Sequence, residues 1–171
     1  MSFRTVLMDP PWPEHGGGKC KRGADRHYPL VSLREMPYVI QGAPEFREIA
    51  DDAHCYMWVT NNYLMVGGRL LGDLGFRYVT NLCWVKDRSG LGQYWRGQHE
   101  LCLFGVRGDG YDVRTARKDL ATVIGSPRGK HSAKPEEFHA LVEARSEGPY
   151  LELFARTVRP GWTCWGNEVA A

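Results

Sequence analysis

Phe3-Arg4-Thr5-Val6-Leu7-Met8-Asp9-Pro10-Pro11-Trp12 is the stretch on which both the fold and the chemistry turn. A short apolar run cut off by Asp-Pro-Pro reads as a buried strand that stops at a turn, because neither proline can donate to a ladder. Asp9 then stands at the carboxyl end of that strand, where open α/β sheets place their ligands. With proline at about 5% of ordinary usage and tryptophan rarer, a chance Asp-Pro-Pro-Trp in such a chain is roughly a one-in-several-thousand event.

The tetrapeptide suits methyl transfer to an exocyclic amine. The N6 lone pair of adenine is delocalised into the ring and is a poor nucleophile. A carboxylate accepting one N–H and a fixed backbone carbonyl accepting the other would favour a pyramidal nitrogen and aim its lone pair. Proline after the aspartate removes slack from that carbonyl. Trp12 offers a flat surface for a base that has left its stack. The alternative is that Asp-Pro-Pro only turns the chain and Trp12 packs in the core.

Outward from this strand, strands and helices alternate. Pro13 to Ser32, with Gly16-Gly17-Gly18 and many charges, reads as a long loop. The spacing predicts a short helix over Pro44 to Asp52, a strand over Ala53 to Thr60 and a helix over Asn61 to Leu74. Thr60 or Asn61 would cap that helix and Gly75 would end it. Strands follow at Tyr78 to Val85, Leu101 to Val106 and Ala121 to Ile124, then a helix over Pro135 to Ala144. Strands at Tyr150 to Phe154 and Trp162 to Trp165 finish the chain. Residues 1–171 read as one domain of α/β class, with a central, largely parallel sheet flanked by helices.

Composition agrees with a globular chain. Of 171 residues, 43% are hydrophobic and 25% charged, which excludes a wholly disordered or collagen-like chain. No apolar run approaches the ~20 residues of a membrane span, and the first residues lack a signal peptide's pattern. Five cysteines without a C-x-x-C pair read as buried thiols in a reducing compartment, so a cytoplasmic location is expected. No metal-ligand spacing occurs. The net charge of +2 is unevenly spread: Glu14 to Arg34 holds five basic and two acidic residues, and Arg107 to Lys130 holds six and three. Lys19, Lys21, Arg22 and Arg26 follow the Asp-Pro-Pro-Trp motif, and Arg128 and Lys130 precede Lys134. These six are the candidate phosphate contacts, against the reading of solvated loops.

Two further patterns bear on a ligand. Lys134 precedes Pro135-Glu136-Glu137, a helix start where a lysine cannot accept the free N–H groups and adds to the positive helix end. A bound carboxylate would resolve that conflict, and so would a side chain bent into water. Asn167-Glu168 after the last strand pairs an amide with a carboxylate, which suits a ribose diol or simply a polar tail.

Together these pieces resemble the MT-A70 family of adenine-N6 methyltransferases. The resemblance runs over nearly the whole chain. It includes Leu33-Arg34-Glu35-Met36, Met57-Trp58-Val59-Thr60, Trp84-Val85-Lys86 and Glu100-Leu101-Cys102-Leu103-Phe104-Gly105-Val106-Arg107-Gly108. It continues through His131-Ser132-Ala133-Lys134-Pro135-Glu136-Glu137, Glu152-Leu153-Phe154-Ala155-Arg156 and Trp165-Gly166-Asn167-Glu168.

The resemblance implies a Rossmann-like methyltransferase fold with permuted motif order, S-adenosyl-L-methionine as cofactor and no metal. It implies that Asp9 meets the target amine and the cofactor, that Pro10 offers its carbonyl, and that Pro11 and Trp12 shape the base pocket. Met8, Asp9, Lys134, Arg156, Asn167 and Glu168 would hold the cofactor, Lys134 through its carboxylate and the last three through its ribose. The chain begins eight residues before Asp9, so a part other than the family's usual upstream segment is expected to clasp the cofactor's adenine. Arg156-Thr157-Val158-Arg159-Pro160 also departs from the family pattern, lacking its His-Asn pair.

The expected substrate is nucleic acid, DNA ahead of RNA because so compact a chain resembles phage and bacterial members. A homodimer is left open. A non-catalytic nucleic-acid-binding partner subunit is the other class of reading, and the intact Asp-Pro-Pro-Trp speaks against it.

Overall fold

The computed structural model describes residues 2–13, 32–90, 94–110, 117–129 and 133–169. Its strands are β1 Phe3–Met8, β2 Ile49–Val59, β3 Arg77–Val85, β4 His99–Arg107, β5 Val123–Gly125, β6 Tyr150–Leu153 and β7 Trp162–Trp165. The α-helices are α1 Met36–Gly42, α2 Leu64–Asp73 and α3 Glu137–Arg145. The strands form one sheet in the order β5-β3-β4-β2-β1-β6-β7. All its pairings are parallel except those of β4, which runs antiparallel to both β2 and β3. The α/β class and the mostly parallel sheet read from the alternation are those observed.

Alternation along β1 decides which layer each side chain joins. Val6 and Met8 face one side with Met57, Leu103, Leu151 and Leu153, and are covered there by α1 (Met36, Ile40) and α2 (Leu70, Leu71). Leu7 faces the other side with Tyr56, Trp58, Trp84 and Phe104, under Phe138 and Val142 of α3. Because β1 is buried on both faces, its sequence is an apolar run rather than an alternating one.

Several boundaries differ from those the sequence predicts. Pro44 to Asp52 is not a helix throughout: one 3-10 turn ends at Glu48, and the chain is already strand at Ile49. Pairing takes precedence there, since Ile49 is in register with Phe3 and the Asp52 carboxylate accepts the Gly110 N–H at 3.1 Å. A 3-10 turn over Asn61–Tyr63 precedes α2, and neither Thr60 nor Asn61 supplies a side-chain cap. Gly75 does end α2: at φ +84°, it donates to Gly72 while Phe76 donates to Leu71, a Schellman closure. Helix α3 starts at Glu137, and Pro135 stands before it with its carbonyl accepting the Phe138 N–H.

Helix α1 has a local signal in Ser32-Leu33-Arg34-Glu35. The Glu35 carboxylate takes the Ser32 hydroxyl at 2.7 Å and the Ser32 N–H at 3.4 Å, while the Ser32 Oγ takes the Glu35 N–H at 3.3 Å. That reciprocal box orders the turn leading into Met36.

Candidate active site

Strand directions bring the chemistry to one edge of the sheet. The carboxyl ends of β1, β2, β6 and β7 lie together, with Met8 beside both Met57 and Leu153, and Leu153 beside Trp165. Since β4 is antiparallel to β2, its amino end lies at this edge, Leu101 facing Val59. The ends of β3 and β5 follow, Trp84 facing Glu100 and Gly125 facing Val85. Asp9, Glu100, Arg128, Arg156, Asn167 and Glu168 therefore all leave the sheet at the edge where such folds bind ligands.

Asp9 continues the β1 alternation onto the α3 face, where Lys134 meets it. The Lys134 ammonium lies 2.7 Å from Asp9 Oδ2 and 3.4 Å from Glu100 Oε2, and 5.5 Å from the centre of the Trp58 ring. Glu100 also accepts from Lys86 at 2.6 Å, and Lys86 lies 4.9 Å from the centre of the Trp84 ring. Two carboxylates and two ammonium groups alternate above two indoles. Burial disfavours the Lys134 ammonium, but Asp9 and Glu100 outweigh it and raise its pKa above the ordinary lysine value. Burial likewise pushes the Glu100 carboxyl up, and Lys134 with Lys86 brings it below its ordinary value. Lys134 is thus neither bent into water nor left against the helix end. Glu100 and Lys86 were not among the candidates from sequence; their signal was that both lie in stretches that resemble the family, and the β3–β4 register brings those stretches together.

Pro10 and Pro11 are buried, and the Pro10 carbonyl accepts the Trp12 N–H at 2.8 Å. That tight turn fixes the carbonyl and leaves it one further lone pair. The open stacking surface expected of Trp12 is not found. Its indole is 3% exposed, stacks on Tyr63 at 5.8 Å between centroids, and donates to the Trp58 carbonyl at 2.9 Å. A ring with one N–H and a large apolar area is most stable where both are satisfied, and the Trp58 carbonyl of β2 and the Tyr63 ring before α2 satisfy both. Tyr63 in turn donates to the Pro13 carbonyl, closing the motif from behind.

The ends of β6 and β7 are clamped. Ala155 N–H donates to the Trp165 carbonyl at 3.0 Å, and a Cβ on Gly166 would overlap the Ala155 backbone. Only glycine permits that approach. Phe154 takes a left-handed φ of 63°, uncommon for a bulky residue, and its ring sits edge-on to Trp165 at 5.7 Å. Arg156 follows Ala155 and the exposed Asn167 and Glu168 follow Gly166, so the three residues expected at the ribose emerge from two turns whose backbones touch. Met8 is fully buried and reaches the site by its backbone alone.

Of the six candidate phosphate contacts, Arg128 is described and Lys19, Lys21, Arg22, Arg26 and Lys130 lie outside the described residues. The Arg128 N–H donates to Asp87 at 3.0 Å. The described cysteines are free thiols, Cys55 and Cys102 buried, and burial raises the pKa of both. Among the described residues no helix is long and apolar enough to cross a membrane.

The sequence pattern of the MT-A70 family matches residues 3–168. The chain is 28% identical over 183 residues to the human N(6)-adenosine-methyltransferase catalytic subunit METTL3, covering 98% of this chain and 28% of that protein. It is 28% identical over 184 residues to an Arabidopsis thaliana N(6)-adenosine-methyltransferase MT-A70-like protein, covering 98% and 24%. Against the Cryphonectria parasitica N6-methyladenosine RNA methyltransferase MTA1 the identity is 30% over 181 residues, covering 98% and 52%. The chain thus spans about a quarter to a half of the length of these relatives.

Proposed function

The chain belongs to the MT-A70 family, and from that premise we propose that it transfers a methyl group from S-adenosylmethionine to the N6 amine of adenine in nucleic acid. The observation that carries this reading is Asp9: a carboxylate at the end of a buried central strand, with Oδ2 held by Lys134 at 2.7 Å.

The residues present fit the cofactor. An ammonium has three donors, and Lys134 directs two of them at Asp9 and Glu100, which leaves one for the cofactor carboxylate. The Asp9 carboxylate suits the cofactor's amino group, and Arg156, Asn167 and Glu168 suit its ribose. When bound, the cofactor supplies an electrophilic methyl on a sulfonium centre.

The protein's own part is alignment and charge. Asp9 accepts one N6–H and the second lone pair of the Pro10 carbonyl accepts the other, turning the nitrogen lone pair out of the ring plane. The Asp9 carboxylate also stabilises the positive charge that develops on nitrogen. Lys134 fixes the rotamer of Asp9, and Glu100 with Lys86 fixes Lys134. Trp12 supports the turn from the apolar layer and keeps water from its underside.

The expected substrate is DNA ahead of RNA, whereas the relatives are named for adenosine and one of them for RNA. A labelled-methyl assay on single- and double-stranded DNA and RNA oligonucleotides, with digestion to nucleosides, tests the reaction and chooses the polymer. N6-methylated adenine in at least one of the four is the expected result. Label on no adenine, with the protein folded and cofactor present, would overturn the reading.

A further inference from the structure

Beside the ion cluster lies a cleft of about 380 Å³, lined by Trp84, Lys86, Arg88, Glu100, Arg128 and Ala133. It shares Glu100 with the Asp9–Lys134 cluster, so the two are contiguous. One wall belongs to the β3–β4 ribbon, which continues past the sheet: Lys86 N–H donates to Gln98, Gln98 Nε2 donates back to the Lys86 carbonyl, and Gly90 N–H donates to Gly97. The other wall comes from the segment between β5 and α3. The two walls touch, because an Arg128 guanidinium nitrogen stands 3.8 Å from where a Cβ on Gly90 would be.

The ribbon carries Tyr94 and Trp95, exposed at 94% and 90%, followed by Arg96. Two neighbouring aromatics left almost bare on a hydrogen-bonded ribbon forgo a large apolar burial. Arg88 and Arg96 lie on the same ribbon, Arg88 3.3 Å from the Asp87 carboxylate, and Arg128 lies on the facing wall of the cleft. Exposed rings interleaved with arginines match a chain of stacked bases and phosphates rather than an apolar partner.

We infer that this ribbon and cleft form a subsite for the nucleotide flanking the target adenine, its base stacked on Trp95 and its phosphate held by Arg88 and Arg128. The inference rests on the nucleic-acid reading above and adds to it a contact that tolerates sequence, since every base has a π-face.

The test is oligonucleotide binding at several salt concentrations, with sedimentation of the same samples. Trp95→Ala should weaken binding roughly five- to a hundredfold, with the loss falling on KM more than on kcat, and Trp95→Phe should restore most of it. Arg128→Gln should instead lower the salt slope by about one, and Trp95→Ala should leave the slope alone. An abasic site next to the adenine should weaken binding to the unaltered protein but not further weaken binding to Trp95→Ala. Equal affinities for Trp95→Ala and a methylating wild type would overturn this subsite while leaving the proposed reaction standing. A Trp95→Ala that falls from dimer to monomer with unchanged oligonucleotide affinity would assign the ribbon to a second copy instead. Absence of any nucleic-acid binding by the wild type would remove the proposed function and the subsite together.

Discussion

Asp9 is asked to be both an acceptor and a charge, and the two demands separate on substitution. Asp9→Asn keeps the shape and one acceptor oxygen but cannot stabilise a positive nitrogen, so it should be as inactive as Asp9→Ala, below about a tenth of wild type, an expectation that general electrostatic stabilisation supports. Methyl transfer by a folded Asp9→Asn protein at near-normal rate would refute the charge argument. Lys134→Ala should weaken cofactor binding by about 1.5–3 kcal/mol, roughly ten- to a hundredfold, as for loss of one charge-assisted bond. Calorimetry reads this directly, and an unchanged affinity would leave Lys134 with only its role toward Asp9. Glu100 gives a pH signature. Its folded pKa is lowered, so its contribution is present above the ordinary carboxylate value, about 4.3, and is lost as pH falls through the folded value. Lys134 has the opposite sign: its raised pKa contributes below the ordinary lysine value and fades as pH rises through the folded one. Glu100→Gln should therefore flatten the acid limb of stability against pH, measured by urea titration, and shrink the alkaline limb to the part that Asp9 alone gives Lys134. Parallel acid limbs in mutant and wild type would contradict the pairing. Asp9 and Lys134 were legible in the sequence because each sits inside a motif. Glu100 and Lys86 also lie in stretches that resemble the family, but their pairing with Lys134 was not legible, because it forms only through the β3–β4 register between different stretches of chain.

Helix α2 shows what one position can conceal. Gly67 and Gly68 both lower helix propensity, yet only Gly67 has a packing reason. A Cβ there would stand 2.8 Å from Val59 Cγ2 and 3.4 Å from Leu103 Cδ1, whereas nothing lies within 4 Å of one on Gly68. Gly68→Ala should thus stabilise by up to about 1 kcal/mol, the propensity difference. Gly67→Ala should destabilise by about 1–2 kcal/mol, because overpacking against the buried Val59 outweighs that gain. Opposite shifts in denaturant midpoint check this, and same-sign shifts would place α2 wrongly on the sheet. The end of α2 was readable from Gly75, as the strand β1 was from Asp9-Pro10-Pro11, because both are punctuated by backbone chemistry. The direction of β4 was not. It follows from the connection after Val85, whose described residues hold no crossover helix and close instead as a ribbon. Trp12 failed for a related reason: its rarity and position suggested a platform, but the layer it joins depends on Tyr63 and Trp58, which sequence spacing cannot bring together.

At the scale of the whole molecule, the proposed cofactor site is assembled from four separate stretches: Asp9, Lys134, Arg156 after β6, and Asn167 with Glu168 after β7. The sheet order, with β1 beside β6 and β6 beside β7, brings the strand ends that carry them to one edge, and Lys134 reaches that edge through Asp9. The unfolded chain holds no such site, so S-adenosylmethionine should bind the native state alone and stabilise it by mass action. At a hundredfold excess over its dissociation constant the gain is about 2.7 kcal/mol. A domain of this size converts each kcal/mol into about 2–4 °C, so the unfolding midpoint should rise by about 5–10 °C. If Lys134→Ala weakens binding tenfold, the same cofactor concentration contributes about 1.4 kcal/mol and roughly half that rise. Gly68→Ala, distant from these stretches, should instead raise the starting midpoint and keep the full increment. The pattern separates affinity from intrinsic stability, since only a loss of contact with the ligand shrinks the increment. A wild-type midpoint that does not move with cofactor would mean that these strand ends, though adjacent, do not form the site.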